Sequence, residues 1–246
     1  MKNKIGIIGL GYVGSAVYSA VKDKNMILFN DPLKENSSVI DTLKKECEAI
    51  FVCVPTPSFE DGSLDSSIVL DVLKDLIGFE GVIIVKSTIL SSYLPDLYNI
   101  VYNPEFLNEV SSIEDFKNQK YIVLGGEIYN TSKAESIYKK YFDLDFESIK
   151  FEHCSVEEAS NLKYFNNIYG AYKVLFWEFV HDITNGRSRK IAKMMKNLPD
   201  PKMDIVGLDG SRGYGGACFP KDVNAFDSEH DHALTNFMKK FNKDLS

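Results

Sequence analysis

A glycine-rich turn near the N-terminus, Gly9-Leu10-Gly11-Tyr12-Val13-Gly14, limits the possible folds more than any other segment of the chain. Residues 4–10 form an apolar run that predicts a buried strand, and residues 13–24 have the pattern of a helix. The alternation continues, with strands predicted at 26–29, 49–54, 82–85, 97–102 and 121–124 and helices at 37–45 and 65–77. Strands that are apolar throughout and alternate with helices are typical of a parallel sheet covered on both faces. We therefore predict an α/β fold with a doubly wound parallel sheet.

The G-x-G-x-x-G spacing at this strand-to-helix turn indicates a Rossmann-type dinucleotide site. Gly9 permits the tight turn, Gly11 lets a pyrophosphate approach the backbone, and Gly14 lets the helix pack closely on the strand. Asp31 ends the second predicted strand. In Rossmann folds a carboxylate at this position binds the ribose hydroxyls of the cofactor. Pro32-Leu33 follow it rather than a pair of arginines, which favours NAD over NADP. The alternative is a glycine-rich turn that binds nothing.

A change of pattern after Lys150 predicts two domains, 1–150 and 151–246, of which the second is mostly helical. Ser155 and Glu158 have the spacing of a capping box, which predicts a long helix from there to about Ile183. Apolar residues recur on this helix at helical spacing and are predicted to be core: Leu162, Phe165, Tyr169, Tyr172 and Phe176.

Composition narrows the possible partners. The net charge is −7 and the isoelectric point about 5.2, which argues against nucleic-acid binding. No apolar stretch has membrane-spanning length and no signal peptide is recognised, so we expect a cytoplasmic protein without membrane contact. The 4 cysteines have no disulfide or metal-site spacing, and the histidines complete no ligand set, so no metal is predicted.

The run from Gly213 to Asp222, GYGGACFPKD, contains the most reactive side chain that the sequence offers. If a helix begins at Phe219, Pro220 suits its first turn, and Cys218 lies at the positive end of the helix dipole. That position stabilises the negative charge of a thiolate, and a thiolate is a nucleophile. A buried cysteine in a glycine-rich turn is an equally good interpretation of this run alone.

Polar segments leave the carboxyl ends of several predicted strands, namely Val54-Pro55-Thr56-Pro57, Lys86-Ser87-Thr88 and Asn103–Glu109. In a parallel sheet these ends open on the ligand side. On the long helix, Lys163 and Asn167 are one turn apart and share a face. By themselves, these two side chains could equally form an exposed polar stripe on the helix or border the cofactor site.

Taken in order, the segments GLGYVG, VPTP, KST, NPEFLNE, EEASNLKYFNN and GYGGACFPKD resemble the UDP-glucose/GDP-mannose dehydrogenase family, in particular the UDP-glucose 6-dehydrogenases. The resemblance runs from Lys4 to about Asn224. It implies NAD-dependent oxidation of a nucleotide-sugar C6 alcohol to the carboxylate. Relative to that family, we expect the chain, whose sequence ends at Ser246, to lack the C-terminal nucleotide-binding domain and to form a homodimer through the long helix.

The resemblance also implies roles for individual residues. Cys218 would add to the C6 aldehyde, and the resulting thiohemiacetal would be oxidised to a thioester. Lys163 would stabilise the developing alkoxide by its charge and Asn167 by a hydrogen bond. Glu105 would act as the base for the hydrolytic water, or position it.

The remaining implied positions fall into three groups. Water and the catalytic network would be oriented by Thr88 and Asp222. Cofactor contacts would come from Gly9, Gly11, Tyr12, Val13, Gly14, Asp31, Val54, Pro55, Thr56, Thr88 and Lys221. Substrate contacts would come from Phe106, Leu107, Glu109, Lys163, Asn167, Tyr214 and Gly215.

Two alternatives remain open on the sequence. One is a two-electron dehydrogenase of the β-hydroxyacid or 6-phosphogluconate type, which shares the Lys163–Asn167 pattern and needs no thiol. The other is a non-catalytic relative that only binds a dinucleotide or a sugar nucleotide.

Overall fold

The computed structural model describes residues 2–95, 97–197 and 212–245 of the chain. The chain forms two compact units, one comprising Met1–Pro57 and Asp65–Lys163 and the other Ser58–Leu64 and Tyr164–Ser246. The predicted division into domains near residue 150 stays a prediction.

The first unit contains a seven-stranded sheet in the order β2-β1-β3-β4-β5-β6-β7. The strands are β1 (Lys4–Ile8), β2 (Ile27–Asn30), β3 (Cys47–Val52), β4 (Val82–Val85), β5 (Ile100–Tyr102), β6 (Tyr121–Gly125) and β7 (Lys150–Cys154). Neighbouring strands are parallel except for β5 and β6, which are antiparallel. The predicted α/β, Rossmann-type fold is confirmed.

Two features of the sheet differ from the sequence prediction. The antiparallel pairing of β6 was not predicted, because an apolar run has the same pattern in either direction. The strand β7 was also missed, because its residues Lys150, Glu152 and His153 interrupt the apolar run. β7 lies at the edge of the sheet and stays partly exposed, so it has no need of a continuous apolar sequence.

The helices among the described residues are α1 (Tyr12–Ser19), α2 (Ile40–Glu46), α3 (Ser67–Asp75), α4 (Ser112–Asn118), α5 (Ile128–Tyr141), α6 (Val156–Ile183), α7 (Ser188–Lys196), α8 (Phe219–His230) and α9 (Ala233–Leu245). The sequence assigned neither α4 nor α5. The prediction overlooked the serine N-cap of α4, Ser111, whereas α5 follows Glu127 and lacks the usual start signal.

The core of the first unit is formed around the central strands, whose side chains are buried on both faces. Every residue of β4 is buried, and two aromatic rings at the C-terminal end of α5 pack against Phe51 of β3. Tyr138 and Phe142 make edge contacts with Phe51, at centroid distances of 5.7 and 5.5 Å. Each such buried side chain stabilises the fold by roughly 1.5–3 kcal/mol. This core holds the carboxyl ends of β1, β3 and β4 in fixed positions.

The long helix α6 confirms the capping box and corrects the predicted core. The Ser155 hydroxyl accepts from the Glu158 N–H at 3.1 Å, and the Glu158 carboxylate accepts from the Ser155 N–H at 2.8 Å. The prediction that the apolar stripe is core is wrong: Phe165 is 51% exposed and Tyr169 53%, and Leu162 and Tyr172 are exposed as well. Helical spacing identifies a stripe but not the side that is covered. The buried side of α6 instead includes the polar residues Lys163, Asn167 and Glu178.

Candidate active site

The glycine turn between β1 and α1 has the geometry of a phosphate-binding loop. Gly9 has a φ of +89°, and a Cβ there would lie 2.7 Å from the Cys53 carbonyl oxygen. A Cβ at Gly14 would lie 1.9 Å from the Gly9 carbonyl oxygen, so only glycine fits there. By contrast, nothing lies within 4 Å of a Cβ built on Gly11, the N-cap of α1, which has no side-chain cap. The space beside Gly11, at the N-terminus of α1, is therefore open to a pyrophosphate.

Asp31 is placed where a ribose-binding carboxylate is expected. It follows β2 directly and is buried, and its two oxygens accept from the Leu10 N–H at 2.6 Å and the Leu33 N–H at 2.9 Å. These bonds fix the carboxylate beside the glycine turn and leave lone pairs free for a diol. The residues of this loop thus fit NAD.

The ends of β3 and β4 are joined at the same edge of the sheet. The Ser87 hydroxyl donates to the Val54 carbonyl at 2.7 Å, and the Lys86 N–H donates to the Val52 carbonyl at 2.9 Å. Among the predicted cofactor contacts here, Thr56 is buried, Pro55 is exposed, and Val54 and Thr88 are partly buried. The fold therefore brings the VPTP and KST segments together, as the sequence predicted.

A buried ion pair joins the loop after β5 to the helix α6. Lys163 Nζ lies 2.9 Å from Glu105 Oε1, and both side chains are almost completely buried. The second oxygen, Glu105 Oε2, accepts from the Leu107 N–H at 2.7 Å. The Lys163 ammonium also lies 5.8 Å from the ring centroid of Phe106. The interpretation of Lys163 as part of an exposed stripe is thus wrong, and Glu105 both caps its own loop and pairs with Lys163.

A second buried lysine, Lys86, was not predicted to be a site residue. It binds Asn103, which begins the loop after β5. Lys86 Nζ donates to Asn103 Oδ1 at 2.9 Å, and the Tyr138 hydroxyl donates to the same oxygen at 2.6 Å. Asn103 in turn donates to the Val123 carbonyl at 2.8 Å. Burial lowers the pKa of Lys86 to about 8, although the nearby Cys53 and Glu105 act in the opposite direction. The KST motif was the signal for Lys86, but the motif does not show that the ring of Phe116, distant in sequence, lies 5.6 Å from Lys86 Nζ.

In the second unit, Cys218 is the N-cap residue of α8, as predicted. Pro220 lies in the first turn, and the Cys218 carbonyl accepts from the Asp222 N–H at 2.8 Å. The Cys218 thiol is free and partly exposed. The thiol therefore lies at the N-terminal end of α8, beside the first backbone N–H groups of that helix.

Asp222 anchors this end of α8 to α6. Its carboxylate accepts a hydrogen bond from the Asn167 amide and lies 2.7 Å from Lys221 Nζ. Asp222 and Asn167 are both buried. Asn167 Nδ2 carries two hydrogens, so the bond to Asp222 leaves one for another acceptor.

The predicted substrate residues differ in exposure. Phe106 and Glu109 are exposed and Leu107 is partly buried. Tyr214 is buried, and nothing lies within 4 Å of a Cβ built on Gly215. These positions are compatible with substrate contact at Phe106, Glu109 and Gly215, whereas the Tyr214 ring is enclosed by protein.

Within ranges 2–95, 97–197 and 212–245, no group of three or more His, Cys, Asp or Glu side chains is arranged to hold a metal ion. No helix in these ranges is long and apolar enough to cross a membrane.

Comparison with known proteins points to one family. Residues 28–142 match the family model described as the UDP-glucose/GDP-mannose dehydrogenase family, NAD binding domain. This part of the chain is therefore similar to the NAD-binding domain of that family. The cofactor of this family's N-terminal domain is NAD, in agreement with the geometry of the glycine turn and Asp31.

Curated relatives extend the similarity beyond the matched domain. YtcA of Bacillus subtilis is 30% identical over 90% of this chain and 62% of its own length. The UDP-glucose 6-dehydrogenase of Rickettsia felis is 30% identical over 79% of this chain and 47% of its own length. The chain thus spans about half to three-fifths of the length of these family members.

Solved structures share the fold. A UDP-glucose dehydrogenase from Pyrobaculum islandicum is 21% identical with a TM-score of 0.80, over 99% of this chain and 68% of that one. The 3-hydroxyisobutyrate dehydrogenase of Mycobacterium tuberculosis is 14% identical with a TM-score of 0.70, over 100% of this chain and 95% of that one. At these identities the likeness concerns the fold alone.

Proposed function

We propose that the chain oxidises the C6 alcohol of a nucleotide sugar to the carboxylate with NAD, through a thioester on Cys218. The observation that carries the proposal is the position of Cys218 as the free, partly exposed N-cap of α8. The match to the family model and the similarity to curated UDP-glucose 6-dehydrogenases support a nucleotide-sugar substrate. A protein that only binds dinucleotides has no use for a nucleophile at a helix N-terminus.

Bound NAD would accept one hydride from the sugar carbon in each of the two oxidations. After the first oxidation, the Cys218 sulfur adds to the aldehyde carbon, and the carbonyl oxygen becomes an alkoxide that is protonated to a thiohemiacetal. This adduct has the C–H bond that the second oxidation breaks, and its product is a thioester. Water then attacks the thioester carbon, which releases the carboxylate and returns the thiol to Cys218.

Charge on the reacting oxygen would be balanced by the side chains on α6. We assign Lys163 to the electrostatic stabilisation of the alkoxide and Asn167 to a hydrogen bond from its remaining N–H. Glu105, which pairs with Lys163, would accept a proton from the hydrolytic water or position that water. Asp222 would hold Asn167 in its orientation, and Thr88 would orient the water.

The cofactor and substrate contacts are proposed at the positions that the sequence indicated. For NAD these are Gly9, Gly11, Tyr12, Val13, Gly14, Asp31, Val54, Pro55, Thr56, Thr88 and Lys221. For the sugar nucleotide they are Phe106, Leu107, Glu109, Lys163, Asn167, Tyr214 and Gly215, with Tyr214 acting through its backbone because its ring is buried.

We also propose a cytoplasmic homodimer joined through α6. The exposed apolar stripe of this helix supports the dimer, because Phe165, Tyr169 and Tyr172 place adjacent aromatic surface in water. Free cysteines throughout the described ranges are compatible with a reducing compartment.

The test is to incubate the protein with NAD and a panel of UDP- and GDP-sugars and to measure NADH per sugar consumed. Two NADH per sugar, with loss of acid formation in Cys218→Ser and retained NAD binding, is the expected result. One NADH per substrate and full activity in Cys218→Ser would instead favour the β-hydroxyacid type of dehydrogenase. No NADH with any sugar, despite NAD binding, would favour a non-catalytic binder.

A further inference from the structure

The backbone of Tyr214, in the glycine-rich loop before Cys218, is held from both sides by one side chain. Asn242 Oδ1 accepts from the Tyr214 N–H at 2.6 Å, and Asn242 Nδ2 donates to the Tyr214 carbonyl at 3.1 Å. We call these two bonds the Asn242 clasp. A primary amide is suited to this because it presents a donor and an acceptor side by side.

The preceding residue, Gly213, leaves the space that the Asn242 side chain occupies. Gly213 has a φ of +73°, and a Cβ on it would lie 2.5 Å from Asn242 Oδ1. A side chain at position 213 would therefore displace the Asn242 amide as well as strain the backbone. The first glycine of the GYGG segment thus has a structural role that involves a residue near the far end of α9.

The helix α9, which carries Asn242, is itself fixed to α8. Lys239 Nζ lies 2.7 Å from Asp227 Oδ2, and the Thr235 hydroxyl donates to Asp227 Oδ1 at 2.6 Å. Burial by itself raises the pKa of Asp227, but the hydrogen bonds from Lys239 and Thr235 outweigh it and lower the pKa. Met238 is completely buried on the same helix. The helices α8 and α9 are therefore joined by a charged hydrogen bond and by packing. A shift of α9 should shift α8 with it.

The Cys218 segment is thus held at both ends by the same helix. Upstream of Cys218, Asn242 fixes the loop at Tyr214, and downstream, Lys239 and Thr235 fix α8 at Asp227. We propose that Asn242 is a positioning residue, which sets the backbone of the loop and thereby the place of the Cys218 thiol. The proposal rests on the assignment of Cys218 as the nucleophile.

The experiment compares Asn242→Ala and Asn242→Asp with the wild type and with Asn236→Ala. Asn236 is the matched control, because it is an asparagine of the same helix that donates to Asp231 rather than to the loop. Amide hydrogen exchange is measured in residues 213–218, and alkylation of Cys218 by iodoacetamide is followed in peptide digests. Cys154, which is partly buried in the first unit, is the internal reference for alkylation.

In Asn242→Ala we expect exchange at the Tyr214 amide to rise about tenfold, because two hydrogen bonds are lost. Alkylation of Cys218 should rise about threefold or more as the loop opens, while that of Cys154 stays unchanged. Asn242→Asp retains the acceptor for the Tyr214 N–H but not the donor, so its values should be intermediate. Asn236→Ala should behave as the wild type.

Unchanged exchange or unchanged Cys218 alkylation in Asn242→Ala would overturn the proposal, as would an equal effect in Asn236→Ala. If Asn242→Ala unfolds, the alkylation of Cys154 rises as well. The test then rests on Asn242→Asp, in which unchanged exchange and unchanged Cys218 alkylation would overturn the proposal. Neither measurement needs a substrate, so a wild type that forms no NADH would refute the proposed function and leave the clasp testable. Where the wild type turns over, an unchanged kcat in a folded Asn242→Ala would also refute the positioning role.

Discussion

Gly170 of α6 lies against the tip of the ring of Phe219, the first residue of α8. A Cβ built on Gly170 would be 2.8 Å from Phe219 Cζ, closer than carbon atoms pack. Because Cys218 immediately precedes Phe219, this contact helps to set the start of α8 against α6. It also explains a glycine in the middle of a helix, where the residue is otherwise unfavourable.

Gly170→Ala is therefore expected to lower the free energy of unfolding, although alanine is the better helix former. The overpacking penalty should be about 1–3 kcal/mol, measured by chemical denaturation. Gly215→Ala is the control, because a Cβ there meets nothing within 4 Å. Equal stability of the two variants would show that Phe219 moves aside without strain.

Gly11 and Gly14 should respond in opposite ways to alanine. Gly14→Ala places a Cβ 1.9 Å from the Gly9 carbonyl oxygen and should destabilise the fold by about 3 kcal/mol or more. Gly11→Ala meets no protein atom, so its stability should stay near that of the wild type. Its Kd for NAD, measured by calorimetry, should rise at least about tenfold, a loss of about 1.4 kcal/mol. Normal NAD binding by Gly11→Ala would contradict the assigned position of the pyrophosphate.

Burial of Lys86 predicts a specific dependence of stability on pH. Its pKa falls from the ordinary value of 10.5 to about 8, so between these values the unfolded chain binds more protons than the folded one. Lys86 should therefore increase the free energy of unfolding as the pH rises from 8 to 10.5, by at most about 3 kcal/mol. Lys86→Met removes this gain, and Asn103 Oδ1 keeps its hydrogen bond from Tyr138.

Chemical denaturation at pH 8 and at pH 9.5 gives the change in the free energy of unfolding between these pH values. The change should be larger in the wild type than in Lys86→Met. Lys74→Met, at an exposed lysine of α3, is the control and should show the slope of the wild type. A Lys86→Met variant with the same slope as Lys74→Met would show that Lys86 does not titrate in this range.

The exposed stripe of α6 predicts the effect of charge on assembly. Tyr169→Glu puts a carboxylate among aromatic side chains and should convert the proposed dimer to a monomer, as measured by analytical ultracentrifugation. Tyr98→Glu, at a tyrosine that is 74% exposed in the first unit, is the control and should leave the mass unchanged. A monomeric wild type, or a Tyr169→Glu variant that stays dimeric, would refute the dimer through α6.

Several parts of the site were accessible from the sequence because they depend on near neighbours in the chain. The fit of Gly14 against Gly9, the Ser155–Glu158 capping box and the start of α8 at Phe219 each arise from local sterics and hydrogen bonds over a few residues. The apolar stripe of α6 shows the limit of this reasoning. Its spacing was interpreted correctly as helical but wrongly as core, because a helical pattern does not specify which face is covered.

What the sequence by itself determined is therefore the α/β fold, the dinucleotide turn and the identity of the thiol at the start of α8. Only the tertiary structure decided that Lys163 pairs with Glu105, that Lys86 is buried under the same loop and that Asn242 holds Tyr214. The reason is that each of these contacts joins residues that are far apart along the chain. Their geometry is set by the packing of whole strands and helices, which no local pattern contains.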